Sequence, residues 1–363
     1  MTLSRRAVFR SGGATQTVFE PRLRALVHRQ RPERVKPMTA ELATAYRCRH
    51  TQIGERALFA MIAGHGEGCI ITSNAAGYTS RGSDAKSPSE ESLAHARLIP
   101  DDGKPIDLYI LADGAGGAAS GEVAAETATL FPAAYPMRYY RGGPIEELPP
   151  LVMRGIADGH AAILEARRQL SPSKQRAALY TTLAILAIQD RRGYYWSIGD
   201  SHALGVLLDD RPDGAHALSR ALFLSAPQTL AADPDGTEWD WLNSCGHGQQ
   251  LGQTLRHALG QTNFDPDSIQ AQSFTIPDDR DAIVGLACDG VMLDNNGLGN
   301  LQPERFGRNS SALLADNINP LLATMRKNGT VSPRTSDGRR VPRREVKVDH
   351  TSLLLHQVPR VRD

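Results

Sequence analysis

Short connections between apolar segments are the feature that most constrains the fold of this chain. Strands are predicted at Thr181–Ile188, Tyr194–Ile198 and His202–Leu208, joined only by the polar turn Gln189–Gly193 and the corner Gly199–Ser201. Parallel neighbours need a crossover of a dozen or more residues, so these strands must be antiparallel. The sequence therefore predicts an α+β fold and excludes a doubly wound βαβ fold.

Other apolar segments extend this pattern along the chain. Further strands are predicted at Cys69–Thr72, Ile106–Ala112, Ala282–Ala287 and Ser352–His356, and helices at Ser120–Phe131, Pro150–Leu170 and Ser310–Met325. The segment Asp209–Asp279 is expected to be rich in loops, with a short helix near Leu251–Leu259. A polar loop is expected over Ser80–Ser92.

Three aspartates lie at or beside the ends of these apolar strands. Asp113 directly follows the strand Ile106–Ala112, and Asp289 follows the strand Ala282–Ala287 with one residue between them. Asp349 comes just before the final strand. If the strands are neighbours, the three carboxylates meet at one edge of a sheet, where only a cation relieves their repulsion. Oxygen ligands favour Mg²⁺ or Mn²⁺ over Zn²⁺. For any one of these acids taken alone, turn chemistry is a better explanation than metal binding.

Composition limits the possible partners and locations. The 363 residues contain 41 Lys and Arg against 40 Asp and Glu, which does not favour a nucleic-acid binder. The four cysteines show no paired spacing, and we find no apolar run long enough to span a membrane. We therefore expect a cytoplasmic protein with no membrane partner. Residues 1–66 are predicted to form a basic extension with a helical stretch at Ala40–Ala63, followed by a catalytic domain at 67–363.

Six short motifs occur in an order that is known from one protein family. The motifs are Leu111–Gly117 with Gly121–Ala124 after it, Tyr180–Leu183, Ile198–His202, Leu255–Gly260, Leu286–Gly290 and Asp349–Leu354. Together they resemble the type 2C metal-dependent serine/threonine protein phosphatases over roughly residues 70–357. Each motif alone is weak evidence, and it is the shared order that makes the resemblance strong.

The resemblance implies a fold and a metal site. The fold would be a four-layer α-β-β-α sandwich, with two stacked antiparallel sheets flanked by helices. Asp113 would bridge two Mg²⁺ or Mn²⁺ ions with help from the Gly114 carbonyl, and Asp289 and Asp349 would complete the first ion. Asp200 would lie nearby and support a third, weaker ion. A water molecule activated by the two ions would attack phosphorus directly.

The sequence departs from the family pattern in the segment before the first strand of the site. Lys86 would replace a phosphate-binding arginine, which keeps the charge but loses the bidentate geometry. Glu91 would replace an aspartate as a ligand of the second ion, and the adjacent Glu90 is an alternative. The same segment also reads as an exposed Ser- and Glu-rich loop, in which case the second ion is poorly held. His202, in place of an arginine, is expected to have a structural role.

The resemblance implies a phosphatase of phosphoserine and phosphothreonine in proteins, with a phosphorylated protein substrate and a cognate kinase as its partners. The alternative from a different class is a pseudophosphatase, weak or inactive, that acts as a binding or regulatory module. A phosphatase of small molecules is a third possibility. The sequence predicts no oligomeric state.

Overall fold

Two antiparallel β-sheets packed face to face form the centre of the computed structural model. The structure describes residues 50–53, 55–63, 68–80, 90–114, 121–170, 179–210, 216–229, 255–289, 291 and 351–361. In chain order the elements are β1 (Thr51–Ile53), β2 (Ala57–Ile62), β3 (Gly68–Ile71), β4 (Ala75–Ser80), β5 (Glu91–Leu98), β6 (Ile106–Asp113), α1 (Gly121–Tyr139), α2 (Leu148–Arg168), β7 (Leu183–Gln189), β8 (Arg192–Ile198), β9 (His202–Asp210), β10 (His216–Leu224), β11 (Gln272–Thr275), β12 (Asp281–Ala287) and β13 (Thr351–Val358).

The strand order brings distant parts of the chain together. The seven-stranded sheet has the order β1-β2-β5-β6-β7-β8-β11, and the six-stranded sheet has the order β10-β9-β12-β13-β4-β3. The pairings within both sheets are antiparallel, including β6 with β7 and β12 with β9. The predicted fold class, α+β with two stacked antiparallel sheets, is confirmed.

Strand β6 shows why the central strands are apolar on both faces. Tyr109 and Leu111 belong to the core between the two sheets. Leu108 and Ile110 point the other way and pack in the core between the seven-stranded sheet and helices α1 and α2. A strand buried on both faces gives a continuous apolar run instead of an alternating one. In the described part of the chain, the helices, the seven-stranded sheet and the six-stranded sheet form three layers. The predicted helix Ser310–Met325 lies outside the described residues.

Helix α1 is almost fully buried, which accounts for its small side chains. Thr127 and Thr129 donate their hydroxyl hydrogens to the carbonyls of Val123 and Ala125, so their polar groups are satisfied inside the helix. Gly155 of α2 lies so close to α1 that a Cβ atom there would come within 2.7 Å of the Phe131 carbonyl oxygen. The two helices therefore pack as one layer on the sheet.

Several local expectations are wrong. The helical stretch expected at Ala40–Ala63 is instead β1 and β2 in its described part, and both strands belong to the seven-stranded sheet. The segment expected to be loop-rich contains β10 and β11. No helix is present at residues 255–259, the described part of the expected short helix. The division of the chain at residue 66 stays a prediction.

Among the described helices, none is both long and apolar enough to cross a membrane.

Candidate metal centre

Strands β5 and β6 place two carboxylates side by side at one end of the sandwich. Glu91, the first residue of β5, pairs directly opposite Asp113, the last residue of β6. The side chain of Cys288, one residue beyond β12 in the other sheet, completes a cluster in which the possible ligand atoms of all three residues lie within 4.8 Å of one another. Glu91 and Cys288 are buried and Asp113 is partly exposed, so the cluster opens to solvent on the Asp113 side.

Asp289 acts electrostatically on this cluster and on a further aspartate, Asp200. Burial, together with the negative charge of Asp289, raises the pKa of Asp200 to about 7. Burial also raises the pKa of the Cys288 thiol well above its usual value, with further contributions from Glu91, Asp113 and Asp289. Asp289, which follows Cys288, therefore connects the cluster electrostatically with Asp200, which lies just beyond β8.

The backbone around Asp113 is held by two threonines that precede β7. The Asp113 carbonyl accepts hydrogen bonds from the Thr182 amide and the Thr181 hydroxyl, both at 2.8 Å. The Gly114 amide donates to the Glu90 carbonyl at 3.0 Å. A Cβ atom on Gly114 would lie 2.5 Å from the backbone of Gly121, the first residue of α1. Only glycine therefore allows α1 to begin so close to the Asp113 carboxylate.

The corner that carries Asp200 depends on a second glycine. Gly199 has a φ of 84°, a left-handed conformation that favours glycine. Its amide donates to the side-chain oxygen of Gln228 at 3.1 Å, and its carbonyl accepts from the Gln228 amide at 2.7 Å. The buried hydroxyls of Ser201 and Thr182 lie 2.6 Å apart and share a hydrogen bond. This bond connects the Asp200 corner with Thr182, whose amide donates to the Asp113 carbonyl.

His202 follows this corner at the start of β9. Its Nδ1 atom lies 3.0 Å from the Ser225 carbonyl, to which it donates. Burial lowers the pKa of His202, while Ser225 and the charge of Asp289 act in the opposite direction. The contact joins β9 to the residue that follows β10, which is a structural role of the kind expected from the sequence.

The structure brings two of the predicted ligands, Glu91 and Asp113, directly together, with Gly114 beside Asp113. Asp289 acts electrostatically on the adjoining Cys288 and on Asp200. Lys86 and Asp349 lie outside the described residues. The start of β13 does reach the cluster, because the Ser352 amide donates to the Cys288 sulfur at 3.1 Å and its carbonyl accepts from the Cys288 amide at 3.1 Å.

Cys288 is the member of the cluster whose position sequence reasoning missed. A free cysteine that continues an apolar strand is usually a small core residue, and Cys288 is fully buried. Its sulfur nevertheless lines the carboxylate cluster. The only sequence signal for this position was the adjacent Asp289, a predicted metal ligand. The residue before a ligand at the end of a strand points either into the core or toward the ligand.

The donor set fits a hard divalent cation. Carboxylate oxygens dominate the cluster, and at ordinary pH their combined negative charge is costly in a partly buried place without a cation. Mg²⁺ and Mn²⁺ prefer such oxygen ligands, whereas zinc is usually held by His and Cys. The residues present therefore fit the type of ion that the sequence predicted.

Solved structures that are similar to this one include bacterial phosphatases. A bacterial serine phosphatase, in a mutant form, matches with a TM-score of 0.53 and 13% sequence identity, covering 80% of this chain and 100% of its own. A bacterial serine phosphatase without that mutation gives a TM-score of 0.51 and 14% identity, with 80% of this chain and 100% of its own covered. The serine/threonine phosphatase Stp1 from Staphylococcus aureus gives 0.51 and 13%, with 79% and 96% covered.

These likenesses show the fold, and they agree with the resemblance of the motifs to type 2C phosphatases. No protein-family model matches the sequence, and no match to a curated protein was found.

Proposed function

We propose that this protein is a metal-dependent phosphatase of the type 2C kind that hydrolyses phosphoserine and phosphothreonine in proteins. The observation that carries the proposal is the pairing of the Glu91 and Asp113 carboxylates at one end of the β-sandwich, beside Cys288. Asp289 acts electrostatically on Cys288 and on Asp200, so it adds negative charge near this pair. A purely structural role does not account for this concentration of carboxylates, whereas cation binding does.

Each residue has a distinct task in the proposed site. Asp113 and Glu91, held opposite each other on β6 and β5, would hold one ion between them. Asp289 and the predicted ligand Asp349 would hold the other ion together with Asp113, and Asp200 would support a third. Two such ions supply charge neutralisation for the phosphoryl oxygens and a lowered pKa for an attacking water. The protein's own contribution is the fixed backbone around Asp113, which positions these carboxylates before the substrate arrives.

The substrate and partners are proposed on the same basis. Lys86 would bind the phosphate of the substrate as a point charge. A phosphorylated protein would be the substrate, and a cognate kinase would supply it. The cytoplasm remains the predicted location.

Metal-dependent release of phosphate from an aryl phosphate tests the proposal. With Mn²⁺ present the wild-type protein should hydrolyse it, and Asp113→Asn should lower kcat by at least roughly 100-fold, since even outer-shell changes at metal sites cost 10–100-fold. Asp190→Asn is the matched control, because Asp190 lies in the exposed β7–β8 turn at the opposite end of the sheet. Equal activity in Asp113→Asn and Asp190→Asn would refute the proposed site.

Calorimetric titration with Mn²⁺ separates this proposal from the pseudophosphatase alternative. The departures at Lys86 and Glu91 favour that alternative. Glu91 lies directly opposite Asp113, however, which supports a complete pair of ion sites. Two Mn²⁺ ions bound to the wild type, and fewer to Asp113→Asn, are expected. A protein that folds normally but binds no Mn²⁺ would instead be a binding module.

A further inference from the structure

One side chain of the metal centre has no task in the proposed hydrolysis, the thiol of Cys288. Its sulfur belongs to the cluster with Glu91 and Asp113, in which the possible ligand atoms of all three residues lie within 4.8 Å of one another. Cys69, another buried free cysteine, belongs to no such cluster among the described residues. The surroundings of Cys288 therefore differ from those of an ordinary core cysteine.

The distances within the cluster allow one ion to contact all three residues. Three atoms no more than 4.8 Å apart share a point that lies within about 2.8 Å of each, the radius of the circle through an equilateral triangle of that side. Zinc lies about 2.3 Å from a cysteine sulfur and about 2.0–2.2 Å from a carboxylate oxygen. Side-chain movements of roughly 0.5–0.8 Å therefore complete the coordination.

Burial places the sulfur on the inner side of the cluster. Cys288 is 0% and Glu91 1% exposed, whereas Asp113 is partly exposed. An ion therefore enters past Asp113 and meets the sulfur at the closed end. The thiol is placed to contact a bound ion and not solvent.

Strand β13 and the turn after Cys288 hold the sulfur in this position. The Ser352 amide donates to Sγ at 3.1 Å, and the Ser352 carbonyl accepts from the Cys288 amide at 3.1 Å. The Cys288 carbonyl accepts from the Val291 amide, also at 3.1 Å. Hydrogen bonds to the ligands of a metal orient them and tune their strength as donors. The backbone around Cys288 therefore supports a sulfur ligand.

We propose that Cys288 is a protein ligand of the ion that Glu91 and Asp113 hold, and that its sulfur gives this position a preference for a thiophilic divalent cation of the Zn²⁺ class. This inference rests on the proposed metal site and names the class of ion that one of its positions takes. The other position, proposed for Asp113, Asp289 and Asp349, takes oxygen ligands from the protein and favours Mg²⁺ or Mn²⁺.

The effect of removing the sulfur distinguishes this proposal from the general affinity of proteins for zinc. Zn²⁺ binds most sites more tightly than Mn²⁺, so tight zinc binding alone is no evidence for a sulfur ligand. A soft thiolate increases the selectivity for Zn²⁺ beyond that general order. When the bond forms, the sulfur donates a lone pair to the ion and the thiol proton passes to solvent. A serine in the same place offers a hard oxygen and lacks this added selectivity.

The absorption spectrum of the Co²⁺-loaded protein tests for the metal–sulfur bond. Co²⁺ occupies zinc-type sites, and a cobalt–thiolate bond absorbs in the near ultraviolet by charge transfer from sulfur to metal. The wild type should show this band, and Cys288→Ser and Cys288→Ala should lack it. Cys69→Ser is the matched control and should keep the band, because Cys69 is a buried free thiol in β3 at the edge of the same six-stranded sheet.

Calorimetric competition between Zn²⁺ and Mn²⁺ measures the selectivity. In the wild type one Zn²⁺ should displace one Mn²⁺. Cys288→Ser should lower the ratio of the Zn²⁺ to the Mn²⁺ association constant at least about tenfold, the lower end of the effects of changes around metal sites. Cys69→Ser should leave this ratio unchanged. Cys288→Ala removes the donor without burying a hydroxyl, so it takes the place of Cys288→Ser if that variant does not fold.

Neither measurement needs turnover, so the ion preference and the proposed catalysis can fail separately. A wild type without the cobalt band, or a band that persists in the Cys288 variants, would overturn the sulfur ligand even if Mn²⁺-dependent hydrolysis occurs. An unchanged ratio of association constants in those variants would overturn the preference for Zn²⁺. A band that depends on Cys288, in a protein that hydrolyses no phosphoester with any of these ions, would support the sulfur ligand and refute the proposed catalysis.

Discussion

Replacing Glu91 by Gln should stabilise the metal-free protein while weakening its response to metal. The ligand atoms of Glu91 and Asp113 lie no more than 4.8 Å apart. Two unit charges at that separation repel by about 3.5 kcal/mol at an effective dielectric constant of about 20. Burial of the polar amide group offsets about 1.5 kcal/mol of this relief. We therefore expect the free energy of unfolding in EDTA to rise by about 2 kcal/mol.

The same substitution removes a ligand, so its effect changes sign when metal is present. At a Mn²⁺ concentration of about 100 times the dissociation constant, one bound ion stabilises the wild type by about 2.7 kcal/mol. Glu91→Gln should lose most of this gain for the ion that Glu91 holds. Urea denaturation with EDTA and with Mn²⁺ measures both effects.

A second carboxylate serves as the matched control for this experiment. Glu165 lies on α2, where it forms an ion pair with Arg168 whose arginine side chain is 73% exposed. Glu165→Gln should change stability by less than about 0.5 kcal/mol in either condition. A Glu91→Gln protein that is less stable than the wild type in EDTA, yet gains as much from Mn²⁺, would refute the reasoning.

Two further predictions concern stability. Burial lowers the pKa of His356 to about 4, so the folded protein favours the neutral ring. The free energy of unfolding therefore has its full value above about pH 6.5, the pKa of an unfolded histidine. It falls by roughly 3 kcal/mol at most as the pH drops toward 4, because the unfolded state then binds the proton more tightly. Urea midpoints across this pH range should fall less steeply in His356→Gln, and equal slopes would contradict the assignment. Gly114→Ala should lower the free energy of unfolding by about 1–3 kcal/mol, because its Cβ atom would meet the Gly121 backbone at 2.5 Å. It should also weaken Mn²⁺ binding, measured by calorimetry, by displacing Asp113. Unchanged affinity would show that α1 can move independently of Asp113.

The strands that bear the site were predictable because burial gives them an unambiguous pattern. The apolar run of β6 ends at Asp113 and that of β12 ends just before Cys288 and Asp289. A chain segment buried on both faces must be apolar, so a carboxylate at its end stands out. The two strands belong to different sheets, however, so these acids approach each other across the sandwich and not along one sheet edge, a packing arrangement that the strand pattern does not contain.

Strands whose composition favours helix were missed. β2 (Ala57–Ile62) consists of Ala, Leu, Phe, Met and Ile, of which several are good helix formers, and β10 (His216–Leu224) is similar. β5 (Glu91–Leu98) carries buried polar residues that local patterns assign to a loop. In each case the strand forms because a partner strand supplies its hydrogen bonds. This is a tertiary effect, which the secondary-structure propensities of the individual residues do not capture.

The placement of Glu91 opposite Asp113 depends on contacts at the far end of the same two strands. Arg97 and Asp107 also pair directly across β5 and β6. The Arg97 guanidinium donates to both Asp107 oxygens, at 2.7 and 3.0 Å, and His95 lies 2.8 Å from the same carboxylate. Burial would raise the pKa of Asp107, but these neighbours hold it well below its usual value.

This ion pair fixes the register of the metal centre from about 20 Å away, the length of six residues in a strand. A slip of one residue would separate Arg97 from Asp107 and leave a buried charge without its partner, at a cost of roughly 3–5 kcal/mol. The same slip would turn Glu91 to the opposite face of the sheet from Asp113. The two carboxylates therefore face each other because the buried polar contacts at the other end of the sandwich allow only one alignment of the strands.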